Sequence, residues 1–418
     1  MTLVPRAQVD VTVASETAAQ LIDEVRRGGE AALIAQAERL DHVRPTRIRV
    51  DPDDIAAAAE TLDPAVRAAL NEAIRRVRLA SEAQVLPPAV TGFAAGAEVV
   101  QRWQPIERVG FYVPGGKAVY PSSVVMNVVP AQVAGVASVA LASPPQAAFG
   151  GGVHPTILGA AGVLGVEEVY AMGGAGAIGA LAYGVPGLGL DPVDLITGPG
   201  NVYVAAAKRL VRGAVGIDAE AGPTEILIIA DATAQARLVA ADLVSQAEHD
   251  ELAAAVLVTD SPELVDAVLP ELEKLAAAAS ASLRVTAALD GQQSAIVLVD
   301  DIATAAAFSN AYGPEHLELQ TADPGATLDL ITNAGAIFLG SDAPVSLGDY
   351  LAGSNHVLPT GGQSRFSSGL GAATFLRSQQ VIRYDHEGLA GVRAGIRALS
   401  DAEQLPAHGD AVDSRFEG

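Results

Sequence analysis

Cysteine is absent from the 418 residues, which excludes disulfides, thiolate metal sites and cysteine nucleophiles together. Aromatic residues are scarce, 4% of a chain that is 50% hydrophobic, so Ala, Val, Leu and Ile must fill the core. Cations are also in short supply: 26 Lys and Arg stand against 49 Asp and Glu, a formal net charge of −23. No basic stripe offsets that acidity, so neither nucleic acid nor an anionic membrane is an expected partner. Long apolar runs are missing too. The most apolar stretch, 109–141, is broken by Pro114, Gly115, Gly116, Lys117, Pro121 and Pro130, short of the roughly 20 uninterrupted apolar residues a membrane span requires. Residues 1–10 carry no apolar core of a signal peptide. These absences lead to the expectation of a cytoplasmic protein.

What is present is an alternation of helical and strand-like periods. Residues 14–40 and 52–84 read as helices, the first interrupted at Gly28-Gly29, the second opened by Asp51 as cap and Pro52 in the first turn. From about residue 97 short apolar runs take over: Val109–Val113, Ser138–Ala142, Glu167–Met172, Asp194–Thr197 and Glu225–Ala230. A second series follows at Ala254–Thr259, Ala295–Val299, His316–Gln320 and Gly335–Leu339, with helix-like segments such as Ala232–Ala247 and Pro262–Ala279 between them. Such alternation predicts an α/β architecture with two related units of largely parallel sheet. From Arg383 the pattern is helical again through Phe416.

Chemistry-bearing residues cluster in a few places. Gln246 and His249 lie three apart near the end of a predicted helix, so both can project from one face towards a metal ion. A polar helix end with His249 against the C-terminal dipole accounts for the same residues. Glu315 and His316 stand directly before the strand-like Leu317-Glu318-Leu319, where an acid beside an imidazole suits proton transfer. A solvated turn is the alternative there. The Gly-rich segment from Gly348 to Thr360 holds Asp349, Asn355 and His356, and a long irregular stretch inside an α/β unit often carries function. Gly174-Ala175-Gly176-Ala177-Ile178-Gly179 follows a predicted strand, with Asp194 twenty residues beyond Gly174, a loose match to a dinucleotide fingerprint. Gly198-Pro199-Gly200-Asn201, before another helix, is an equally good place for a pyrophosphate.

Taken in order, these segments resemble one family, the histidinol dehydrogenases. The resemblance runs over nearly the whole chain and rests on Tyr112-Val113-Pro114-Gly115-Gly116, Gly198 to Asn201, Ala221-Gly222-Pro223-Thr224-Glu225, Ser245 to His249, Gly313 to Leu317, and Gly348 to Thr360. It implies two incomplete Rossmann-like parallel-sheet domains with small helical N- and C-terminal extensions. The expected divisions are 1–24 for the N-terminal extension, 25–108 with 232–370 for the first Rossmann-like domain, 109–231 for the second, on the NAD side, and 371–418 for the tail.

The same resemblance implies Gln246, His249, Asp349 and His408 as zinc ligands and Glu315 and His316 as the acid–base pair. It implies substrate contacts from Thr224, Gln246, His249, His316, Asp349, His356, Glu403 and His408, and NAD contacts from Tyr112, Gly176 and Asn201. The activity implied is oxidation of L-histidinol through L-histidinal to L-histidine with two NAD⁺, by a homodimer in which the tail completes the partner's site. Without cysteine, water is the nucleophile of the second oxidation. At Gly176 the sequence departs from the family, which commonly has glutamine there. A relative acting on another small alcohol, such as a sulfonated diol, is the alternative, and it would not need Glu403 and His408, both of which are present. A non-catalytic binding protein on the same scaffold would be expected to lose Glu315 or His316.

Overall fold

The computed structural model describes residues 4–7, 11–115, 118–220 and 222–417, so Gly116, Lys117 and Ala221 of the segments above lie outside the described residues. The strands in chain order are β1 (Ala89–Ala94), β2 (Ala97–Pro105), β3 (Arg108–Tyr112), β4 (Ser138–Ser143), β5 (Val169–Ala171), β6 (Leu195–Thr197), β7 (Gly216–Ile217), β8 (Glu225–Ala230), β9 (Ala254–Thr259), β10 (Ala295–Leu298), β11 (His316–Gln320), β12 (Ala336–Leu339) and β13 (Leu376–Tyr384). Two five-stranded sheets run β5-β4-β3-β6-β7 and β10-β9-β8-β11-β12. All their pairings are parallel. Each has the 3-2-1-4-5 order of a Rossmann sheet short of its sixth strand, so the α/β expectation of two incomplete Rossmann-like units is met.

Central strands explain themselves by composition. Every residue of β8 and β9 is buried, as required of parallel strands with helices on both faces. Along β11 the side chains alternate: Leu317 and Leu319 join the cluster with Ile229, Val256 and Phe308, while His316, Glu318 and Gln320 point to the other face.

Both sheets belong to one compact unit made of the residues to Gln84 with Ile106–Phe375. Within it the domain boundaries fall elsewhere than the sequence suggests. β8 pairs with β9 and β11, so it opens the second sheet instead of closing the first, and a boundary at 231/232 cuts that sheet. The N-terminal helices also change sides. Ala18, Leu21, Ile22, Val25 and Ile48 share a core with Ala140, Tyr170 and Ile178 of the β3–β7 half, and the helices of 52–82 pack on helices of that same half, with Arg76 reaching the Leu351 carbonyl. The helix Val11–Gln36 kinks at Gly29, where φ is 54°.

The single helix expected over 52–84 is two, Pro52–Glu60 and Pro64–Glu82. Asp63 accepts from the backbone N–H of Ala65 and Val66, and Pro64 occupies the first turn, so a complete start signal overrides the continuous Ala-rich pattern.

The smaller unit comprises Val85–Pro105 and the chain from Leu376. Here β2 pairs antiparallel with both β1 and β13. The tail is therefore not purely helical: β13 precedes the helices His386–Ala402 and Pro406–Asp413. Among the described residues no helix is long and apolar enough to cross a membrane. Asp63→Ala removes a cap that satisfies two helix N–H groups and should lower unfolding stability by about 1 kcal/mol in urea denaturation; no change would show that Pro64 alone starts the helix.

Candidate active site

Parallel pairing aligns the starts of β8 and β11, with His316 opposite Ile226. Thr224-Glu225 thus lies beside Glu315-His316 at the N-terminal edge of the sheet. Glu315 is buried at 6% exposure, and its Oε2 accepts from Thr224 Oγ1 at 2.6 Å and from the Glu225 N–H at 2.9 Å. Burial pushes its pKa up to about 7 against these two donors and nearby His249, which pull it down. A carboxyl poised there switches between acid and base near neutrality.

His316 Nδ1 lies 3.0 Å from the Glu225 carbonyl oxygen. Nδ1 therefore carries the proton and donates, and Nε2 presents its lone pair. Burial holds the imidazole below its ordinary pKa, in the neutral, proton-accepting form. The Glu225 backbone thus serves both groups, its N–H to Glu315 and its carbonyl to His316. Its own buried side chain pairs with Arg6, whose guanidinium lies over the Tyr312 ring, and accepts from the Gly361 N–H. Burial raises the Glu225 pKa to about 7 despite Arg6.

Gln246 donates from Nε2 to Thr224 Oγ1 at 2.7 Å, while its Oε1 is buried with no donor. His249 Nδ1 lies 3.2 Å and 3.3 Å from the Ser245 and Gln246 carbonyls, which places the free lone pair on Nε2, 4.0 Å from Asp349 Oδ2. His356 has both nitrogens engaged, Nδ1 with the Asp349 carbonyl at 2.9 Å and Nε2 with Ser123 Oγ at 3.1 Å. The structure thus brings together Thr224, Gln246, His249, Glu315, His316, Asp349 and His356.

Glu403 and His408 belong to the smaller unit, Glu403 closing the helix His386–Ala402 and His408 exposed in the helix Pro406–Asp413. Among the described residues no three His, Asp or Glu side chains of one chain gather closely enough for a metal. The orphaned Gln246 Oε1, the His249 lone pair and the Asp349 carboxylate are nonetheless a nitrogen–oxygen donor set that fits a borderline cation such as zinc.

A cavity of about 110 Å³ runs from Thr224, Glu315 and His356 to Gly198, Pro199 and Gly200 beyond β6. That loop is clamped at Gly198. Buried Lys208 donates to the Gly198 carbonyl at 3.0 Å and pairs with Asp218, whose Oδ2 accepts the Gly198 N–H at 2.8 Å. Gly198 has φ 115°, and a Cβ there would fall 2.0 Å from the Tyr112 carbonyl oxygen, so only glycine fits. Asn201 caps the helix Val202–Val211, and the Tyr112 hydroxyl accepts from the Gly174 N–H.

The apparent dinucleotide fingerprint fails at its acidic member. Asp194 accepts from the Arg108 N–H at the start of β3, the edge opposite the glycine turn. Gly176 is buried beneath Gln36, whose Oε1 stands 2.0 Å from where a Cβ at 176 would be. Gln36 is fixed there by donating to the Leu21 carbonyl and Glu24. Sequence reasoning missed Glu225, Lys208 and Asp218. A lone lysine after Ala205-Ala206-Ala207, on the apolar face of a helix, was the available signal for Lys208.

Because the Thr224 hydroxyl favours ionised Glu315, Thr224→Ala should move the Glu315 titration upward from about 7. NMR titration of the carboxyl carbon checks this, and an unchanged midpoint would remove Thr224 as its partner.

Comparison with known proteins agrees along the whole chain. The family model for histidinol dehydrogenase matches residues 4–416. The histidinol dehydrogenase of Leifsonia xyli subsp. xyli is 69% identical over 415 residues, 99% of this chain and 95% of that one. That of Thermobifida fusca is 56% identical over 412 residues, 99% and 94% of the two chains. The crystal structure of histidinol dehydrogenase from Elizabethkingia anophelis superposes with a TM-score of 0.94 at 34% identity, covering 99% of this chain and 95% of that one. With its two parallel half-units and buried Glu315–His316 edge, the chain belongs to the histidinol dehydrogenase family.

Proposed function

We propose that the protein oxidises L-histidinol through L-histidinal to L-histidine with reduction of two NAD⁺ in the cytoplasm. The observation that carries this is the buried pair of Glu315 and His316 beside Gln246, His249 and Asp349, in a chain with no cysteine to form a covalent aldehyde adduct. Zinc, when bound, supplies a fixed positive charge that orients the substrate's imidazole and amine, and NAD⁺ supplies the hydride acceptor.

The chain's own groups do the proton chemistry. His316 Nε2 takes the hydroxyl proton as the hydride departs, because its Nδ1 proton is already committed to the Glu225 carbonyl. Ionised Glu315 then takes a proton from the water that attacks the aldehyde, protonated His316 returns its proton to the carbonyl oxygen to give the hydrate, and the neutral imidazole takes a hydrate hydroxyl proton in the second hydride departure. Gln246, His249 and Asp349 hold the zinc with His408 of a second copy of the chain. Thr224, His356 and the second copy's Glu403 complete the substrate's surroundings. The assembly is accordingly a homodimer with exchanged tails.

For the nucleotide, an added Cβ at Gly174 meets nothing within 4 Å, so the first turn of the helix Gly174–Tyr183 admits close approach of a phosphate. The Tyr112 hydroxyl accepts from the Gly174 N–H beside that place, and Asn201, at the cap of the helix Val202–Val211, is the other expected contact. Gly176 offers no side chain, and Gln36 fills the space one would take.

Purified protein given L-histidinol, NAD⁺ and zinc should produce NADH; no NADH would sink the proposal. His249→Ala should lose bound zinc on metal analysis, and full zinc content would remove His249 from the ligands. Tail exchange has a sharper consequence. Glu315→Gln and His408→Ala should each fail to form L-histidine in steady state, yet mixing and reassembly should restore about one quarter of wild-type L-histidine formation, because half of the dimers are mixed and each holds one intact site. No restoration would place both residues in one chain's site.

A further inference from the structure

Two carboxyls outside the site remain unexplained. Glu318 is fully buried on the same face of β11 as His316, two residues on. Its neighbours in register are Ile228 and Phe338, which belong to the apolar cluster that packs the helix Ala236–Ala247 through Val239 and Leu243. From that helix the half-buried Asp242 approaches within hydrogen-bonding reach of Glu318. Gln320 Nε2 spans the two, 3.0 Å from Glu318 Oε1 and 3.4 Å from Asp242 Oδ2. Glu318 Oε2 is buried with no donor. Among the described residues Asp242 is the only titratable group facing Glu318, and no cation is paired with either.

Two ionised carboxylates cannot persist in such a layer, and a neutral one must spend its hydrogen on its neighbour. We propose that Glu318 and Asp242 share one proton, Glu318 as the acid donating to the Asp242 carboxylate, and that this singly charged pair is the positioning device seating the helix Ala236–Ala247 against β11. The consequence lies at the ends of both elements. Asp242 and Gln246 stand one turn apart on the helix, His249 follows just beyond its end with its N–H on the Gln246 carbonyl, and His316, Glu318 and Gln320 share one strand face. Fixing Asp242 on Glu318 therefore fixes Gln246 and His249 relative to His316. Burial raises both carboxyls, Glu318 to about 9, consistent with a proton retained through neutral pH. An apolar residue of similar size would fill this layer with equal or greater stability, so the pair is better explained by geometry than by stabilisation.

The inference rests on the oxidation proposed above. Wild type, Glu318→Gln, Glu318→Leu and Asp242→Ala are compared for kcat and KM with L-histidinol, for zinc affinity by chelator competition, and for thermal unfolding without metal. Glu318→Gln keeps a neutral hydrogen-bonding group and should retain kcat within about threefold. It should also lack the alkaline fall near pH 9 expected of wild type. Glu318→Leu should unfold at the wild-type temperature or above, yet lose roughly 10- to 100-fold in kcat and about 10-fold in zinc affinity, with KM less affected. Asp242→Ala, at a half-buried position, should reproduce those losses even if the leucine variant fails to fold. Wild-type kcat and zinc affinity in Glu318→Leu or Asp242→Ala would overturn the pair's role, as would losses that only track unfolding temperature. Absence of NADH with wild type would instead overturn the oxidation itself.

Discussion

The parallel pairing of β8 with β11 is the constraint from which the site follows. Both strands begin at one edge, so the residues entering them, Thr224-Glu225 and Glu315-His316, are forced side by side. A buried carboxyl in that position is costly unless donors meet it, and the neighbouring strand supplies two, the Thr224 hydroxyl and the Glu225 N–H. The Glu225 carbonyl then fixes which nitrogen of His316 is free. Neither acid nor base owes its state to a local motif. Both take it from the strand next door, and Thr224 passes the arrangement on to Gln246.

The position of this edge is unusual for a Rossmann-like half, whose ligands ordinarily sit beyond the carboxyl ends of the strands. Here the N-terminal edge of one sheet shares a cavity with the loop beyond β6, at the carboxyl edge of the other. A nucleotide at the second and proton chemistry at the first would meet in that space. The Lys208–Asp218 clamp on Gly198 holds the boundary between them, while the Glu318–Asp242 pair holds the helix behind the catalytic strand.

Much of this was legible in the sequence, and the failures have physical reasons. Strands buried on both faces, such as Glu225–Ala230 and Ala254–Thr259, announce themselves as apolar runs, and their bounds were read correctly. Strand β1 is exposed at every residue and β13 is mixed, so neither gives a period to read. Sheet membership was invisible as well: nothing local says whether Glu225–Ala230 ends one sheet or starts the next. The roles of Gln246 and His249 depended on family resemblance, because helix spacing alone also suits a polar helix end. Glu318 went unread since alternation on β11 marks it as inward without saying what it meets. Gln36 is a similar case, a helix residue whose partner at Gly176 lies across the fold.

In the proposed reaction labour is divided: His316 accompanies hydride departure and Glu315 activates water. Counting NADH formed per active site in a single turnover of Glu315→Gln with L-histidinol tests this division most directly. A first NADH should form at a rate close to wild type, followed by a stall at the aldehyde before the second. Two NADH formed at wild-type rates would contradict it.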